Sequence, residues 1–406
     1  VDRVDVAIVG GGPAGAAVAT LLARAGHQVM IIERAPGWRW RAGGVFCSPA
    51  AVAAARRIGL DAATVSRVAR RIPAMRVECP DGVAFSLTYG AGSGGPSAVG
   101  FDRAGLDTAL LHLATSGPTG AVLRPGTTVR GIAWPSRAGE DATIDVVGPA
   151  GPASLTATVV VGADGIRSTV ARSVGVVRRA RLGPRVGLTY HVVDPRPDDV
   201  IDARLRIIDD GYVGVAPVAG GRINLGVVLG PSWRPALARD GAAAVADRIV
   251  AGIPPTEDDP ADWRRSARTD AIAGAAPIAH RVARRAGPGW LLVGDAAGFL
   301  DPFTGEGLHR ALVSAELAAT AIDAHLRGRR DALAGYDRAM HRRFVAKDAV
   351  SWLVQGFLAQ PALFGYAARR LSSRPGVRAT MGLVMGDLVP ATRGLDPRYL
   401  AALLAP

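Results

Sequence analysis

Three glycine–acid clusters carry most of the chemistry legible in this chain. The first is Gly10-Gly11-Gly12-Pro13-Ala14-Gly15, which satisfies the spacing G-x-G-x-x-G and is followed by Glu33. Gly10 permits a tight turn. Gly12 lets backbone N–H groups approach a pyrophosphate at a helix N-terminus, where the helix dipole favours negative charge. Gly15 lets that helix lie close to the preceding strand, and Glu33 can accept hydrogen bonds from both hydroxyls of an adenosine ribose. The cluster follows an apolar run and opens a helical pattern, which is the context such a fingerprint requires. It implies a dinucleotide and does not by itself separate a flavin from a nicotinamide.

The second cluster is Val161-Gly162-Ala163-Asp164-Gly165, followed by Arg167-Ser168 and Arg172. The third is Gly294-Asp295-Ala296-Ala297-Gly298, which leads through Asp301-Pro302-Phe303-Thr304-Gly305-Glu306-Gly307 into a helix. A carboxylate after a buried strand can accept a bond from a polyol hydroxyl. The glycines then let a helix N-terminus face a phosphate or an anionic ring. The two cysteines, Cys47 and Cys79, cannot build a disulfide framework and match no zinc-ligand spacing, so no metal site is expected. A reducing, cytoplasmic setting fits them best.

The elements that position these clusters read as follows. Residues 4–9 form a short β-branched run of the kind found in a buried parallel strand. A helix over 16–25 ends at Gly26, and 29–32 is the second strand. Short strands with Gly and Pro punctuation follow at 75–77, 83–87, 122–124, 128–134 and 143–147, and 156–161 is a buried strand. From 186 to 228 the pattern stays strand-like between turns and reads as an antiparallel sheet. A buried strand at 290–293 precedes a helix at 306–326, and 331–385 is mostly helical with aromatics. Strands and helices at both ends around a block of strands predict an α/β protein of two interleaved lobes. One is a Rossmann-like nucleotide-binding lobe, the other an antiparallel-sheet substrate lobe, with a helical C-terminal region. The expected boundaries are 1–72, 101–182 and 286–330 for the nucleotide lobe, 73–100 and 183–285 for the substrate lobe, and 331–406 for the helical region.

A chain of 406 residues allows two domains, or three small ones, at ~100–200 residues each. Hydrophobic residues make up 49% and charged residues 20%, which excludes disorder as the main state. The net charge of +13 raises the question of a polyanionic partner. Lys347 is the only lysine, and the arginines are scattered in pairs such as Arg56-Arg57, Arg70-Arg71, Arg178-Arg179 and Arg329-Arg330. A nucleic-acid footprint is a clustered stripe, so no nucleic-acid partner is expected. Residues 4–9 are too short for a secretory apolar region and run into glycines. No uncharged apolar run reaches the ~18–20 residues that span a bilayer.

The three clusters, in this order and spacing, resemble the FAD-dependent oxidoreductases of the para-hydroxybenzoate hydroxylase fold. That superfamily holds the group A flavin monooxygenases and the geranylgeranyl reductases. The resemblance covers roughly residues 4–326. It implies that Gly10, Gly12, Pro13, Ala14, Gly15, Glu33 and Arg34 hold the ADP half of FAD. It also implies that Arg103 reaches the phosphates, that Asp164-Gly165 lies beside the pyrophosphate, and that Gly294-Asp295 holds the ribityl chain. Pro302, Gly305, Glu306 and Gly307 would bring a helix N-terminus to the isoalloxazine. Gly294–Ala311 and the segment 211–217 look most like the reductases. Yet Gly43 stands where those carry a cysteine, and Gly214 and Ala216 stand where they carry Trp and Phe. Arg39-Trp40-Arg41-Ala42-Gly43 resembles the R-x-R-A-G of aromatic hydroxylases, which adds Arg41, Ala42 and Gly43 to the cofactor residues.

The resemblance therefore favours an NAD(P)H-dependent monooxygenase over a prenyl or other C=C reductase. In the cycle it implies, NAD(P)H binds transiently, reduces FAD, and O₂ gives a C4a-hydroperoxide that hydroxylates or epoxidises a lipophilic or aromatic small molecule. A flavin-binding redox module without turnover is the remaining alternative. Halogenation is excluded because it needs a lysine near the flavin lobe, and Lys347 lies far downstream. Tyr190, His191, Tyr212, Gly214, Ala216 and Pro217 are the expected pocket walls, on a sheet that in this fold faces the flavin. Tyr212 and His191 are the candidates to hydrogen-bond a substrate hydroxyl. The aromatics Trp352, Phe357, Phe364 and Tyr366 are expected to pack on the flavin lobe or to form a lid or a peripheral membrane contact.

Overall fold

The β-branched run at the N-terminus has almost no polar side chain to turn toward water, so it requires a strand on each edge and a layer on each face. The computed structural model describes residues 2–90, 96–137, 139–180, 183–255 and 263–405. In it Asp2–Val9 pairs in parallel with Gly151–Gly162 on one side and with Val29–Ile32 on the other. The sheet continues to Trp290–Leu292 and Ala286–Gly287 at one edge and to Val122–Arg124 at the other. Gly151–Gly162 begins five residues earlier than the pattern 156–161 predicts. Its first half is the return strand of a hairpin with Ala142–Gly148, which the apolar run alone does not reveal.

The first helix, Pro13–Arg24, starts three residues before the predicted one. Proline at the first helical position has no N–H to satisfy and a φ already suited to a helix. Gly26, in a left-handed conformation, follows its end. Gly307–Leu326 packs against this helix, and both bury alanine-rich faces on the parallel sheet.

The second lobe is a seven-stranded sheet in the order Ala273–Ala275, Val186–Val193, Arg222–Leu229, Gly211–Val218, Ala203–Ile208, Ala74–Glu78, Ala84–Thr88. It is antiparallel except where Ala74–Glu78 runs parallel to Ala203–Ile208. One face packs on the helix Arg234–Ala251 and Trp263. The other faces the first lobe and the C-terminal helices. A three-stranded sheet of Phe46–Cys47, Ala98–Phe101 and Ala69–Ile72 lies between the lobes and crosses the expected boundary at 100/101. The expected boundary at 182/183 falls on residues 181–182, outside the described residues.

The C-terminal helices serve both lobes. In Ala332–Leu358, Leu333, Tyr336, Met340 and Phe344 join the core of the parallel sheet. In Pro361–Ser373 and Pro375–Met385, Phe364, Ala368, Leu371 and Met381 pack with Phe85 and Leu87 of the second sheet. The expectation that Phe364 packs on the flavin lobe is thus corrected. Pro361 and Pro375 open the next two helices at their first positions, where the missing N–H costs nothing.

The single lysine holds this arrangement. Lys347 Nζ donates to the Val384 carbonyl at 2.8 Å and lies 2.8 Å from Asp387 Oδ1. It thereby caps the C-terminus of Pro375–Met385, where a cation is favoured. Burial pushes the Asp387 carboxyl up, but the hydrogen bond from His309 and the charge of Lys347 outweigh it and hold the pKa at about 2. Lys347→Met is therefore expected to lower stability by about 3 kcal/mol, because it removes one charged partner of a buried carboxylate and leaves it, among the described residues, only His309 and Ser48. A depressed carboxylate stabilises above its unfolded pKa of about 3.9 and loses that contribution as pH falls toward about 2. The Tm gap between wild type and Asp387→Asn is expected to be full at pH 6 and to narrow between pH 4 and 2. A gap that does not change with pH would refute the assignment.

Candidate functional site

The turn between the first strand and first helix leaves no room for side chains. A Cβ on Gly10, at φ +110°, would sit 2.5 Å from the Ala163 carbonyl oxygen, and one on Gly15 would sit 2.0 Å from the Gly10 oxygen. Strand, turn and helix N-terminus are pressed together with the second cluster. At Gly12, in contrast, a Cβ would meet nothing within 4 Å. Gly12 is the N-cap and Pro13 and Ala14 open the helix, so its free N–H groups face this open space. Glu33 Oε2 accepts the Gly11 N–H at 2.8 Å and Oε1 accepts the Ala35 N–H at 2.9 Å. Both oxygens keep a lone pair for a ligand hydroxyl. Arg41 lies 3.6 Å from Glu33, and Arg34 is exposed beside it.

Arg103 begins the helix Arg103–Thr115 and is tied at Nε and Nη2 to Asp107 and at Nη1 to the Gly44 carbonyl. A Cβ on Gly43 would come within 2.9 Å of its Nη1. The glycine at 43, set between Ala42 and Gly44, therefore makes room for this guanidinium. Asp295 follows the strand Trp290–Leu292 and Gly294, and no protein group donates to it among the described residues. Burial raises its pKa to about 6, against the pull of Arg103 and Arg310. Asp164 Oδ2 accepts the Thr169 N–H at 2.5 Å, while its Oδ1 is buried without a partner among the described residues, as is the hydroxyl of Thr304. Gly165 completes that turn at φ +76°.

The third cluster joins the lobes. Asp301 Oδ1 accepts the Tyr212 hydroxyl at 2.5 Å and the Phe303 N–H at 3.0 Å, and its Oδ2 accepts Arg185 Nη1 at 2.9 Å. The rings of Tyr212 and Phe303 meet edge to face, centroids 5.2 Å apart. Pro302 starts the short turn after Asp301, Gly305 turns left-handed, and Glu306 caps the helix that begins at Gly307. Glu306 is buried, accepts the Ser351 hydroxyl at 3.1 Å and lies 4.0 Å from Lys347 Nζ. Lys347 is thus remote in sequence but close in space. Its contacts with Val384, Met385 and Asp387 account for its three donors.

Strand alternation sorts the expected pocket residues. Tyr212, Gly214 and Ala216 share the face toward the first lobe, and His191 joins them from the neighbouring strand. Tyr190 and Pro217 do not. They fall on the other phase of the period of two: Tyr190 sits in the far core under Arg268, and Pro217 lines a far-side depression with Trp263. Tyr212 is already bonded to Asp301, which leaves His191 as the freer polar group. The sequence reading misses four residues of this face. Gly226 lies opposite Gly214, and Thr189 and Asn224 hydrogen-bond each other beside it. Asp270 receives His191 Nδ1 at 2.6 Å and the His191 N–H at 2.8 Å. Alternation through Asn224-Leu225-Gly226 could have found two of these. Asp270 lies in a loop, with no local signal.

Gly214 and Gly226 open a slot in this face. A Cβ at Gly226 would meet nothing within 4 Å, and one at Gly214 nothing closer than 3.8 Å. The slot is closed at one end by Tyr212 with Phe303 and at the other by His191 with Trp40, whose ring centroids are 4.4 Å apart. Among the described residues no group of three or more His, Cys, Asp or Glu side chains can hold a metal, and no helix is long and apolar enough to cross a membrane.

The open space at Gly12, the spare acceptors of Glu33 and Asp295 and the orphaned oxygens at Asp164 and Thr304 fit a ligand rich in phosphate and hydroxyl groups. Comparison with known proteins agrees. Menaquinone reductase of Mycolicibacterium smegmatis is 30% identical over 338 residues, which cover 78% of this chain and 76% of the reductase. A flavin-dependent halogenase, CmlS, superposes with a TM-score of 0.75 at 22% identity over 91% of this chain, which spans only 65% of the halogenase. PqsL of Pseudomonas aeruginosa, described as a probable FAD-dependent monooxygenase, superposes with a TM-score of 0.73 at 23% identity over 90% of this chain and 99% of its own. The FAD binding domain family model matches residues 3–352. The chain belongs to that family, and is an FAD-dependent oxidoreductase.

Proposed function

We propose that this flavoprotein is an NAD(P)H-dependent monooxygenase that acts on a flat, lipophilic, ring-bearing small molecule held in the slot. The observation that carries this reading is the glycine pair Gly214 and Gly226. Two side chains are missing from one face of an otherwise buried sheet, between two fixed contacts with the cofactor lobe. Such a gap accepts the face of a planar ring.

Gly10, Gly12 and Gly15, with Pro13 and Ala14, cradle the pyrophosphate at the helix N-terminus. Glu33 takes the adenosine ribose, flanked by Arg34 and Arg41. Arg103 and the turn at Asp164-Gly165 would lie along the phosphates, with Gly43, beside Ala42, leaving space for the guanidinium. Gly294-Asp295 takes the ribityl chain, and Pro302 to Gly307 bring the next helix N-terminus to the ring system. When bound, FAD supplies the redox chemistry, and the chain orients the substrate and excludes water. Trp40 and Phe303 close the two ends of the slot.

A second reading is a C=C or quinone reductase on a lipophilic substrate. It is favoured by the 30% identity to a protein named menaquinone reductase. Turnover under ¹⁸O₂ separates the two. The monooxygenase is expected to put one labelled oxygen atom into product and to stall without O₂. Anaerobic turnover with unlabelled product would establish the reductase instead.

Two sets of variants test the site. Asp295→Ala is expected to weaken FAD binding by about 1–3 kcal/mol, since a ligand hydroxyl is left unpaired. Gly12→Val fills the open space and is expected to weaken it at least as much. Full flavin occupancy of both at low FAD would show that the cofactor lies elsewhere. Gly214→Trp is expected to keep its FAD, because the change lies on the second sheet at a position where a Cβ meets nothing closer than 3.8 Å, yet to lose turnover. Unchanged turnover would exclude the slot as the substrate site. A lower Tm by overpacking, about 1–3 kcal/mol, would show that the space is filled in solution.

A further inference from the structure

His191 is 2% exposed, yet its Nε2 has no hydrogen-bond partner among the described residues. Buried polar atoms are seldom left in this state. The other ring nitrogen, Nδ1, meets Asp270 Oδ2 at 2.6 Å. A carboxylate only accepts, so the proton of the neutral ring sits on Nδ1, and Nε2 presents a lone pair. Burial lowers the pKa of the ring and opposes the charged form, against the pull of Asp270. The other charged groups felt by the ring are Arg222, which opposes its protonation, and Asp102, which favours it. Arg222 and Asp102 bond each other at 2.8 Å. Asp270 also accepts the His191 backbone N–H, so it fixes both the side chain and the strand beneath it.

The described residues around it offer no substitute partner. Asn224, paired across from His191, spends its amide donors on Thr189 Oγ1 and the Tyr190 carbonyl. Trp40 donates its indole N–H to the Thr189 carbonyl at 3.2 Å and packs against the imidazole with the rings tilted by 60°. Two residues along the facing strand lies Gly226, the open part of the slot.

We propose that His191 Nε2 accepts a hydrogen bond from a hydroxyl of the substrate, with Asp270 as the positioning residue, so that the molecule in the slot is a ring bearing a phenolic or alcoholic O–H. This rests on the slot reading of the function and adds to it an orientation: the hydroxylated edge lies toward His191 and the apolar body toward Phe303. No proton need leave the substrate for this contact.

Matched probes test it on the FAD-loaded protein. 1-Naphthol and 1-methoxynaphthalene share a ring and an oxygen acceptor, but only the first is a donor. Binding is read from the perturbation of the flavin absorbance. Wild type is expected to bind naphthol about 10-fold more tightly than the ether. His191→Phe is expected to bind both as weakly as wild type binds the ether. Asp270→Asn is expected to cut the preference to about 3-fold while leaving the affinity for the ether unchanged, which a merely structural loss would not do. Equal affinities in wild type, or a preference that survives His191→Phe, would overturn the His191 assignment and leave the slot intact. If neither probe perturbs the flavin, the slot reading falls and the His191 assignment with it. Should His191→Phe fail to fold, the wild-type ratio and Asp270→Asn decide the matter.

Discussion

One buried carboxylate, Asp301, sets the relation between the two lobes. It accepts the Tyr212 hydroxyl from the second sheet, the Arg185 guanidinium from the strand entry, and the N–H of Phe303 in its own turn. Arg185 passes the connection on to Gln355 of the long C-terminal helix at 2.7 Å. A carboxylate this deep is tolerable only when its charge is paired and its lone pairs are used. Separating the lobes at this point would strand a buried ion pair, and breaking such pairs typically costs about 3–5 kcal/mol. The lobes are consequently fixed at one end of the slot, with the turn 302–304 and the helix that starts at Gly307 fixed to the same point.

The slot follows from that constraint. Its second boundary is the contact of Trp40 with His191, contributed by the irregular segment between the second strand and Phe46–Cys47. With both ends held, the distance between sheet and cofactor lobe does not depend on what lies between them. Glycine at 214 and 226 can then leave real space without collapse of the lobes onto each other. A cavity in a single core tends to be reduced by relaxation of its walls. Here the walls are separately anchored, and that makes an open site compatible with a stable fold.

The residues proposed to hold the cofactor are legible because their signals are local. Gly10 to Gly15, Glu33, Asp164 and Asp295 each sit at the end of an apolar run, within a few residues of the turn they shape. The face proposed to hold the substrate is only partly legible. Alternation places Tyr212, Gly214 and Ala216 on one face, and the same rule assigns Tyr190 and Pro217 to the other, which a reading by segment overlooks. Asp270 meets His191 across 79 residues, and Lys347 reaches Asp387 from another helix. Neither pairing has a period or motif behind it. Both are made by packing of elements whose order in space the sequence pattern does not carry.

Lys347 illustrates how far the two kinds of distance diverge. Read along the chain it belongs to a helical appendage, remote from any cofactor. In space it stands 4.0 Å from Glu306, at the N-terminus of the helix that the third cluster opens. Its three donors are met by two carbonyls and a carboxylate, so it presents no free ammonium there. Its charge is nonetheless the one that makes the burial of Asp387 and Glu306 tolerable, together with His309 and Arg310. The C-terminal helices are therefore electrostatically part of the cofactor lobe. A chain ending after the helix Gly307–Leu326 would leave His309 without Asp387 and Glu306 without Ser351 and Lys347, and the helix N-terminus at Gly307 without its wall.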